Sequence, residues 1–288
     1  MSFRGILHKY SEIHVAFEFG ATIFENALVV IGGMTDGLLT VPFVPGLAHV
    51  LSPLAYSLIQ LQMSSSFKGF GMSSLRDDVE EIKQLVEYLK SKEGGLRKRI
   101  IIMGHSTGSQ DVIKYLLIYG STVDAGIMQA PVSDREAFGT EIDPDELKKL
   151  NEHANYLVSN GKKSELLGSN YSKFVVDTPI TAYRWCSLMI KGGDDDFFSS
   201  DLSSETLDST FGQISKPFLI VYSEEDEFVP DSVDKPKLLN MWKTASNTKY
   251  WSDHSGFIKG ASHAVPEEAA QQALYKMITD FLEEFRLL

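Results

Sequence analysis

The residues best suited to chemistry form a serine-centred turn, Gly104-His105-Ser106-Thr107-Gly108. An apolar run over residues 100–103 precedes the turn, and a helical pattern over residues 110–119 follows it. A serine between two glycines at a strand-to-helix junction lies on a strained backbone, which projects its hydroxyl away from the sheet. The same turn aims the first free amides of the helix at the reacting centre. The pattern predicts a nucleophile elbow with Ser106 as the attacking hydroxyl.

A serine nucleophile needs a histidine base, and that histidine must be oriented by an acid. On sheets that carry such an elbow, the acid follows the serine along the chain and the histidine comes last. Asp226 is the predicted acid, because an aspartate followed three residues later by Val-Pro is typical of this turn; Glu225 is the alternative, and a plain acidic surface loop is the other interpretation. His263 precedes the last helix and is the predicted base, with His254 as the alternative.

Acyl transfer also needs two donors for the developing oxyanion. The backbone N–H of Thr107 is one candidate, and the N–H of Met34, after the Gly32-Gly33 pair, is the other. A tight turn without a chemical role is the alternative interpretation of the glycine pair, and no nucleotide-binding glycine pattern or Walker lysine follows it. His105, inside the elbow, is expected to pack or hydrogen-bond beneath the nucleophile.

The elements that position these residues alternate between strands and helices. This alternation predicts a mostly parallel central sheet with helices on both faces. An N-terminal hairpin is predicted near residues 6–10 and 13–19. One helix should begin with a Ser74–Asp77 capping box and stop at Gly94-Gly95, and the last helix should begin at Pro266. The remaining predicted strands cover residues 27–31, 56–62, 99–103, 125–129, 217–222 and 256–259.

The alternation breaks over residues 132–216, which we interpret as a lid inserted between two parts of one core, residues 1–131 and 217–288. The acidic run Asp194-Asp195-Asp196 within it could suggest a metal site. Consecutive side chains do not readily converge on one ion, and no EF-hand spacing is present, so a solvated loop or a contact to the cap is favoured. The neighbouring Phe197 and Phe198 are expected to pack the lid or line a substrate pocket.

Composition narrows the possible partners. The formal charge of −12 and the pI near 5.1 argue against nucleic acid or an anionic membrane as partner. A single cysteine, Cys186, provides no intramolecular disulfide and fits a reducing compartment, where we expect it to be a small buried hydrophobe. No apolar run approaches the roughly 20 residues that span a bilayer, and no signal-peptide pattern opens the sequence. We therefore expect a cytosolic protein that needs no cofactor or metal.

Beyond these patterns, the chain resembles the fusarinine C esterase-like family of siderophore hydrolases, a branch of the α/β-hydrolases. The resemblance covers essentially the whole chain and rests on long strings of sequence rather than on the elbow alone. These strings are IGGMTDGLLT (31–40), SSSFKGFG (64–71), MGHSTGSQD (103–111), QAPVSDRE (129–136) and GGDDDFFSSD (192–201). The resemblance implies a Ser-Asp-His triad, which falls on Ser106, Asp226 and His263.

The function expected from the resemblance is a serine esterase that cleaves the ester bonds of fusarinine-type hydroxamate siderophores. Its partner would be a small-molecule ester, with any iron arriving on the substrate. Two alternatives remain: a general carboxylesterase of other small esters, and a hydrolase fold retained as a non-catalytic binding protein. Fold alone does not decide among them, because one fold hosts many functions.

Overall fold

Among residues 2–288, which the computed structural model describes, eight strands form one sheet. The order across it is β1-β2-β4-β3-β5-β6-β7-β8; the β1–β2 and β2–β4 pairs are antiparallel and all other pairs are parallel. The predicted N-terminal hairpin and mostly parallel sheet are confirmed. The strands are β1 (Gly5–Lys9), β2 (Val15–Phe19), β3 (Asn26–Ile31), β4 (Tyr56–Gln62), β5 (Arg99–His105), β6 (Ala125–Gln129), β7 (Phe218–Ser223) and β8 (Gly256–Ile258).

Helices cover both faces of this sheet. They are α1 (Val44–Leu51), α2 (Leu75–Lys90), α3 (Gly108–Tyr119), α4 (Asp134–Gly139), α5 (Pro144–Ser159), α6 (Ser169–Ser172), α7 (Ala182–Met189), α8 (Ser204–Ser209), α9 (Lys235–Ala245) and α10 (Glu268–Glu284). Helices α2, α3 and α9 pack on one face, and α1 and α10 pack on the other. Alternate residues of β5 enter opposite cores: Ile102 joins the first and Ile101 the second. Helices on both faces explain why the central strands are apolar throughout.

Two predicted helix boundaries are wrong. The Ser74–Asp77 capping box of α2 is present, but the helix ends at Lys90 rather than at Gly94-Gly95. Ser91 already has extended backbone, and the glycines instead close the following turn, in which Gly95 has a φ of 95°. The last helix begins at Glu268 rather than at Pro266, because the backbone of Glu267 is extended and serves as the N-cap.

Residues 132–216, the predicted lid, connect β6 to β7 and contain α4–α8. Helices α5 and α7 pack together around a small third core that includes Leu150 and Trp185 and that also takes in Phe70 from outside the segment. Phe197 and Phe198 belong to the first core instead, where the Phe198 ring lies 5.4 Å from that of Trp242. The division into core and lid stays a prediction.

A buried ion pair ties the N-terminal hairpin to the loop before β5. Glu18 Oε2 accepts hydrogen bonds from Arg97 Nη2 at 2.6 Å and from His8 Nε2 at 2.7 Å. Burial alone would raise the pKa of Glu18, but the bonds from His8, Ser57 and Arg97, with the charge of Arg97, hold it below its usual range. Arg97 also donates to the carbonyls of Phe24 and Gly94.

No helix described for residues 2–288 has the length and apolar character needed to cross a bilayer.

We predict that Arg97→Met destabilises the protein by about 3–5 kcal/mol, because it leaves the Glu18 carboxylate buried without its cation. Urea denaturation followed by circular dichroism measures the change. Lys98→Met is the matched control, since the Lys98–Glu25 pair is exposed, and it should change stability little. Equal unfolding midpoints for both variants would show that the buried Arg97–Glu18 pair contributes no more to stability than the exposed Lys98–Glu25 pair.

Candidate active site

The predicted nucleophile lies between the end of β5 and the start of α3. Ser106 has a φ of 54°, a left-handed conformation that costs a non-glycine residue about 1–3 kcal/mol. The surrounding hydrogen bonds hold this conformation: Ser106 N–H donates to the Gln129 carbonyl on β6 at 3.0 Å, and Ser109 N–H donates to the Ser106 carbonyl at 2.8 Å. The strained serine of the predicted elbow is therefore present and is fixed by the neighbouring strand.

Glycine is required at three positions around this turn. A Cβ on Gly104 would lie 2.0 Å from the Gly108 carbonyl oxygen, and a Cβ on Gly108 would lie 2.7 Å from the Ile31 carbonyl oxygen. On the facing loop after β3, a Cβ on Gly33 would lie 2.7 Å from Ser106 Cβ. The backbone after β3 thus approaches the serine more closely than any side chain would permit.

The predicted acid and base lie together. His263 Nδ1–H donates to Asp226 Oδ2 at 2.8 Å, and both side chains are almost fully buried. Phe228 N–H donates to the other oxygen, Asp226 Oδ1, at 3.0 Å. The alternatives lie elsewhere: Glu225 is exposed, and His254 is a partly exposed residue whose Nδ1 is 3.9 Å from Asp280. Among the acids and histidines considered, Asp226 and His263 alone form this buried pair.

The loop that carries His263 is held by acidic side chains that the sequence did not reveal. Glu227 accepts from His263 N–H at 2.8 Å, and Glu224 accepts from Gly260 N–H at 2.9 Å. Glu267, at the N-cap of α10, accepts from the Ser262 hydroxyl at 2.6 Å, a bond that lowers the pKa of Glu267. Two of these carboxylates come from the same turn as Asp226. The acidic turn therefore orients the histidine ring and also fixes its backbone.

His105 lies beneath this pair. Its Nδ1 is 2.5 Å from Gln129 Oε1, and its ring centroid is 5.0 Å from that of His263. Gln129 Nε2 in turn donates to the His263 carbonyl at 3.3 Å, so one glutamine connects both histidines. Burial, followed by the proximity of His263, lowers the pKa of His105 to about 4. His105 is therefore neutral at pH 7 and adds no second charge to the site.

The two predicted oxyanion donors lie beside the serine. Met34 and Thr107 line one pocket with Ser106 and His263. Neither backbone N–H has a protein acceptor among residues 2–288. Asp36, which sequence reasoning missed, shapes this turn because its Oδ2 accepts from Gly33 N–H at 2.7 Å. The arrangement leaves two amides available near Ser106.

The pocket that contains these groups has a volume of about 260 Å³. Its walls are largely apolar and include Val132, Phe138, Val176 and Phe228. The Phe228 ring stands edge-on to His263 with centroids 4.7 Å apart. Val176 has a φ of 56°, an unusual conformation for a β-branched residue. Two exposed apolar side chains, Phe228 and Val176, thus line the pocket, and Phe228 lies against the histidine.

A second, smaller cavity of about 30 Å³ is lined by the Gly32–Met34 turn and by charged groups. Arg184 Nη1 donates to Asp195 Oδ2 at 2.7 Å, and Asp78 and Asp111 lie beside them. Burial raises the pKa of Asp195, Asp78 and Asp111. No group of three or more potential ligands is arranged to hold a metal ion in the described part of the chain.

The sequence favours two interpretations of Asp194–Asp196, a solvated loop or a contact to the cap, and the structure shows the contact to residues 132–216 for two of the three residues. Asp195 is buried against Arg184, and the almost fully buried Asp196 side chain lies 3.3 Å from Arg135 Nε. Asp194 is exposed and accepts a bond from Tyr183. Arginines supplied by α7 and α4 compensate the two buried charges, and sequence proximity alone did not reveal those pairings.

Cys186 is half-buried, and burial raises the pKa of its thiol to about 11, which disfavours the reactive thiolate.

The strand order, the strained serine after β5, and the acid and histidine after later strands define an α/β-hydrolase. A family model described as "Protein of unknown function (DUF1749)" matches residues 1–283. The chain belongs to this family.

Named relatives give the class of reaction. UPF0613 protein PB24D3.06c of Schizosaccharomyces pombe is 38% identical over 98% of this chain and 96% of its own. Fusarinine C esterase sidJ of Aspergillus fumigatus is 33% identical over 92% of this chain and 90% of its own. The solved structure of siderophore hydrolase EstB from Aspergillus fumigatus has a TM-score of 0.82 at 33% identity, covering 99% of this chain and 98% of its own. The chain is a carboxylic ester hydrolase, and the resemblance drawn from its motifs is confirmed.

We predict that Gly33→Ala lowers ester hydrolysis at least tenfold while the protein stays folded, because the new methyl group displaces either Ser106 or the turn that bears Met34 N–H. Turnover of a chromogenic acetate ester and a thermal melt measure the two properties. Gly256→Ala is the control, since a Cβ there has no neighbour within 4 Å. Equal activity in the two variants would contradict a tight contact at Ser106.

Proposed function

We propose that the protein is a serine esterase in which Ser106, His263 and Asp226 act as a catalytic triad. The observation that carries the proposal is the buried 2.8 Å bond between His263 Nδ1 and Asp226, with the histidine on the same pocket as the strained Ser106. This bond fixes the tautomer that leaves Nε2 free to accept a proton. Met34 and Thr107 supply the oxyanion donors.

In the proposed reaction, Ser106 Oγ attacks the ester carbonyl carbon as His263 Nε2 takes the hydroxyl proton. Asp226 stabilises the imidazolium, and the amides of Met34 and Thr107 bind the oxyanion, each donor lowering the barrier by about 3 kcal/mol. The C–O bond to the alcohol breaks as His263 returns the proton to the leaving oxygen. Water, deprotonated by His263, then attacks the acyl-enzyme and releases the acid and Ser106.

The proposed substrate is an ester of a fusarinine-type hydroxamate siderophore. Two relatives that match nearly the whole chain support this class, one named a fusarinine C esterase and the other a siderophore hydrolase. The pocket volume of about 260 Å³ is below the roughly 300–1,000 Å³ of sites that enclose a whole drug-sized ligand, so it suits one arm of a larger ester. Any iron arrives with the substrate, and the cytosolic location stays a prediction.

A general esterase of small substrates is the second candidate, favoured by the same small and largely apolar pocket. The non-catalytic binding role disagrees with the relatives named as esterases and hydrolases. Ser106 is held at a φ of 54°, and a protein without the reaction would have little use for that strain.

We expect Ser106→Ala to lower turnover of a fusarinine-type triester by roughly a millionfold, since triad members act as a unit. Mass spectrometry of iron-loaded and iron-free triesters should show stepwise addition of water with wild-type protein only. A fluorophosphonate probe should label the wild-type serine and spare the variant.

His263→Ala should abolish the same reaction, and His254→Ala, at the other candidate histidine, should leave it unchanged. Cleavage of simple esters without cleavage of triesters would favour the general esterase. Near-normal activity of Ser106→Ala would reject the triad.

A further inference from the structure

Asp134 is a buried polar residue on the otherwise largely apolar wall of the Ser106 pocket. It is the first residue of α4, it is 9% exposed, and it lines the pocket together with Ser106 and His263. Val132, Ala137 and Phe138 adjoin it on that wall. The proposed triad and oxyanion donors do not use this carboxyl.

The two oxygens of Asp134 have different surroundings. Oδ2 accepts a hydrogen bond from Gln110 Nε2 at 2.9 Å, and the same nitrogen donates to the Val132 carbonyl at 3.1 Å. Oδ1 has no protein partner among residues 2–288, and unlike Asp111 Oδ1 it is not sealed in the core. The glutamine therefore holds one oxygen and leaves the other for a ligand in the pocket.

The charge state of this carboxyl follows from its neighbours. Burial, then the negative charge of Asp195, raises the pKa of Asp134 to about 8; Arg184 and the Gln110 bond oppose the rise, and Asp196 adds to it. At pH 7 the carboxyl is mostly protonated. Because Oδ2 accepts from Gln110, the proton lies on Oδ1, as in other buried carboxylic acids that donate hydrogen bonds at neutral pH.

We propose that Asp134 is a substrate-binding residue whose Oδ1–H donates a hydrogen bond to a second carbonyl oxygen of the substrate, outside the ester that is cleaved. The substrates selected would be esters that carry an amide or hydroxamate carbonyl near the scissile bond. Plain alkyl esters would leave this buried donor unpaired, and unpaired polar groups are a strong source of discrimination. The inference rests on the proposed esterase function of Ser106.

The test compares matched chromogenic esters. The p-nitrophenyl ester of N-acetyl-β-alanine carries an amide carbonyl, and p-nitrophenyl hexanoate has a chain of the same length without one; the N-acetylglycine and pentanoate pair shifts the carbonyl by one position. Asp134→Ala should lower kcat/KM for an amide ester by on the order of 10- to 100-fold and that for its alkyl partner by less than about threefold. Asp134→Asn should keep the preference, because its amide offers one oxygen to Gln110 and N–H to the pocket.

A pH series on wild-type protein tests the same point without a destabilised variant. The ratio of amide-ester to alkyl-ester kcat/KM should fall as pH rises through about 8, because Asp134 then loses the donated proton. In Asp134→Asn the ratio should stay flat. The other titratable groups on the pocket, which are Asp36, His105 and His263, act on both esters of a pair and cancel in the ratio.

The outcomes separate this inference from the proposed function. If wild-type protein cleaves the esters and Ser106→Ala does not, the esterase proposal stands. Parallel losses for amide and alkyl esters in Asp134→Ala, or no loss for either, would then overturn the binding role and leave a structural one. If wild-type protein cleaves a fusarinine-type triester but none of these four esters, the esterase proposal stands and the binding role of Asp134 is overturned; if it cleaves neither kind of ester, the esterase proposal itself fails.

Discussion

The close contact between the loop after β3 and the turn after β5 is the constraint on which the site depends. Three glycines, Gly33, Gly104 and Gly108, remove the side chains that would otherwise separate two backbones and a helix. Only then can the strained Ser106 lie against the backbone of Gly33, with Met34 on the same pocket. Sheet order makes this contact possible, because β3 and β5 are parallel neighbours whose carboxyl ends meet at one edge. The strain at the serine is compensated by the packing of the sheet as a whole.

Electrostatics divides the region around this contact into two compartments. Near the serine, His105 is neutral and Asp226 pairs with His263. The carboxylate of Asp226 is therefore placed to stabilise the positive charge that His263 gains in the proposed reaction. In the cavity lined by the Gly32–Met34 turn, Arg184 pairs with Asp195, and burial raises the pKa of the neighbouring Asp78 and Asp111, which favours their protonated forms. A protein with a formal charge of −12 therefore keeps acidic groups in its interior without accumulating full negative charge there.

Sequence reasoning anticipated the geometry where it follows directly from chain order. Ser106 and His263 were assigned because each stands at a recognisable position after a strand, and the structure places both on one pocket; apolar runs marked the strands themselves. It failed where two distant segments meet. Gln129 lies opposite His105 in the β5–β6 register and also bonds the His263 loop, and Arg184 on α7 pairs with Asp195; none of these pairings follows from a local sequence pattern. The end of α2 and the start of α10 were misplaced for a different reason, local backbone geometry: Ser91 is already extended, and Glu267 rather than Pro266 adjoins α10 as its N-cap.

The support of the proposed base differs from that of the proposed nucleophile. Ser106 is built into the centre of the sheet, whereas His263 follows a three-residue edge strand, β8, and three carboxylate side chains accept hydrogen bonds from its loop. Segments with few ladder bonds open at a small fraction of the global unfolding free energy. If His263 is the base as proposed, a local opening of this loop would remove it from the pocket while the hydrophobic cores stay intact, so loss of activity and loss of the fold become separate events. Activity should therefore be lost at a lower temperature than the fold, and the difference between the two temperatures reports the stability of the His263 loop.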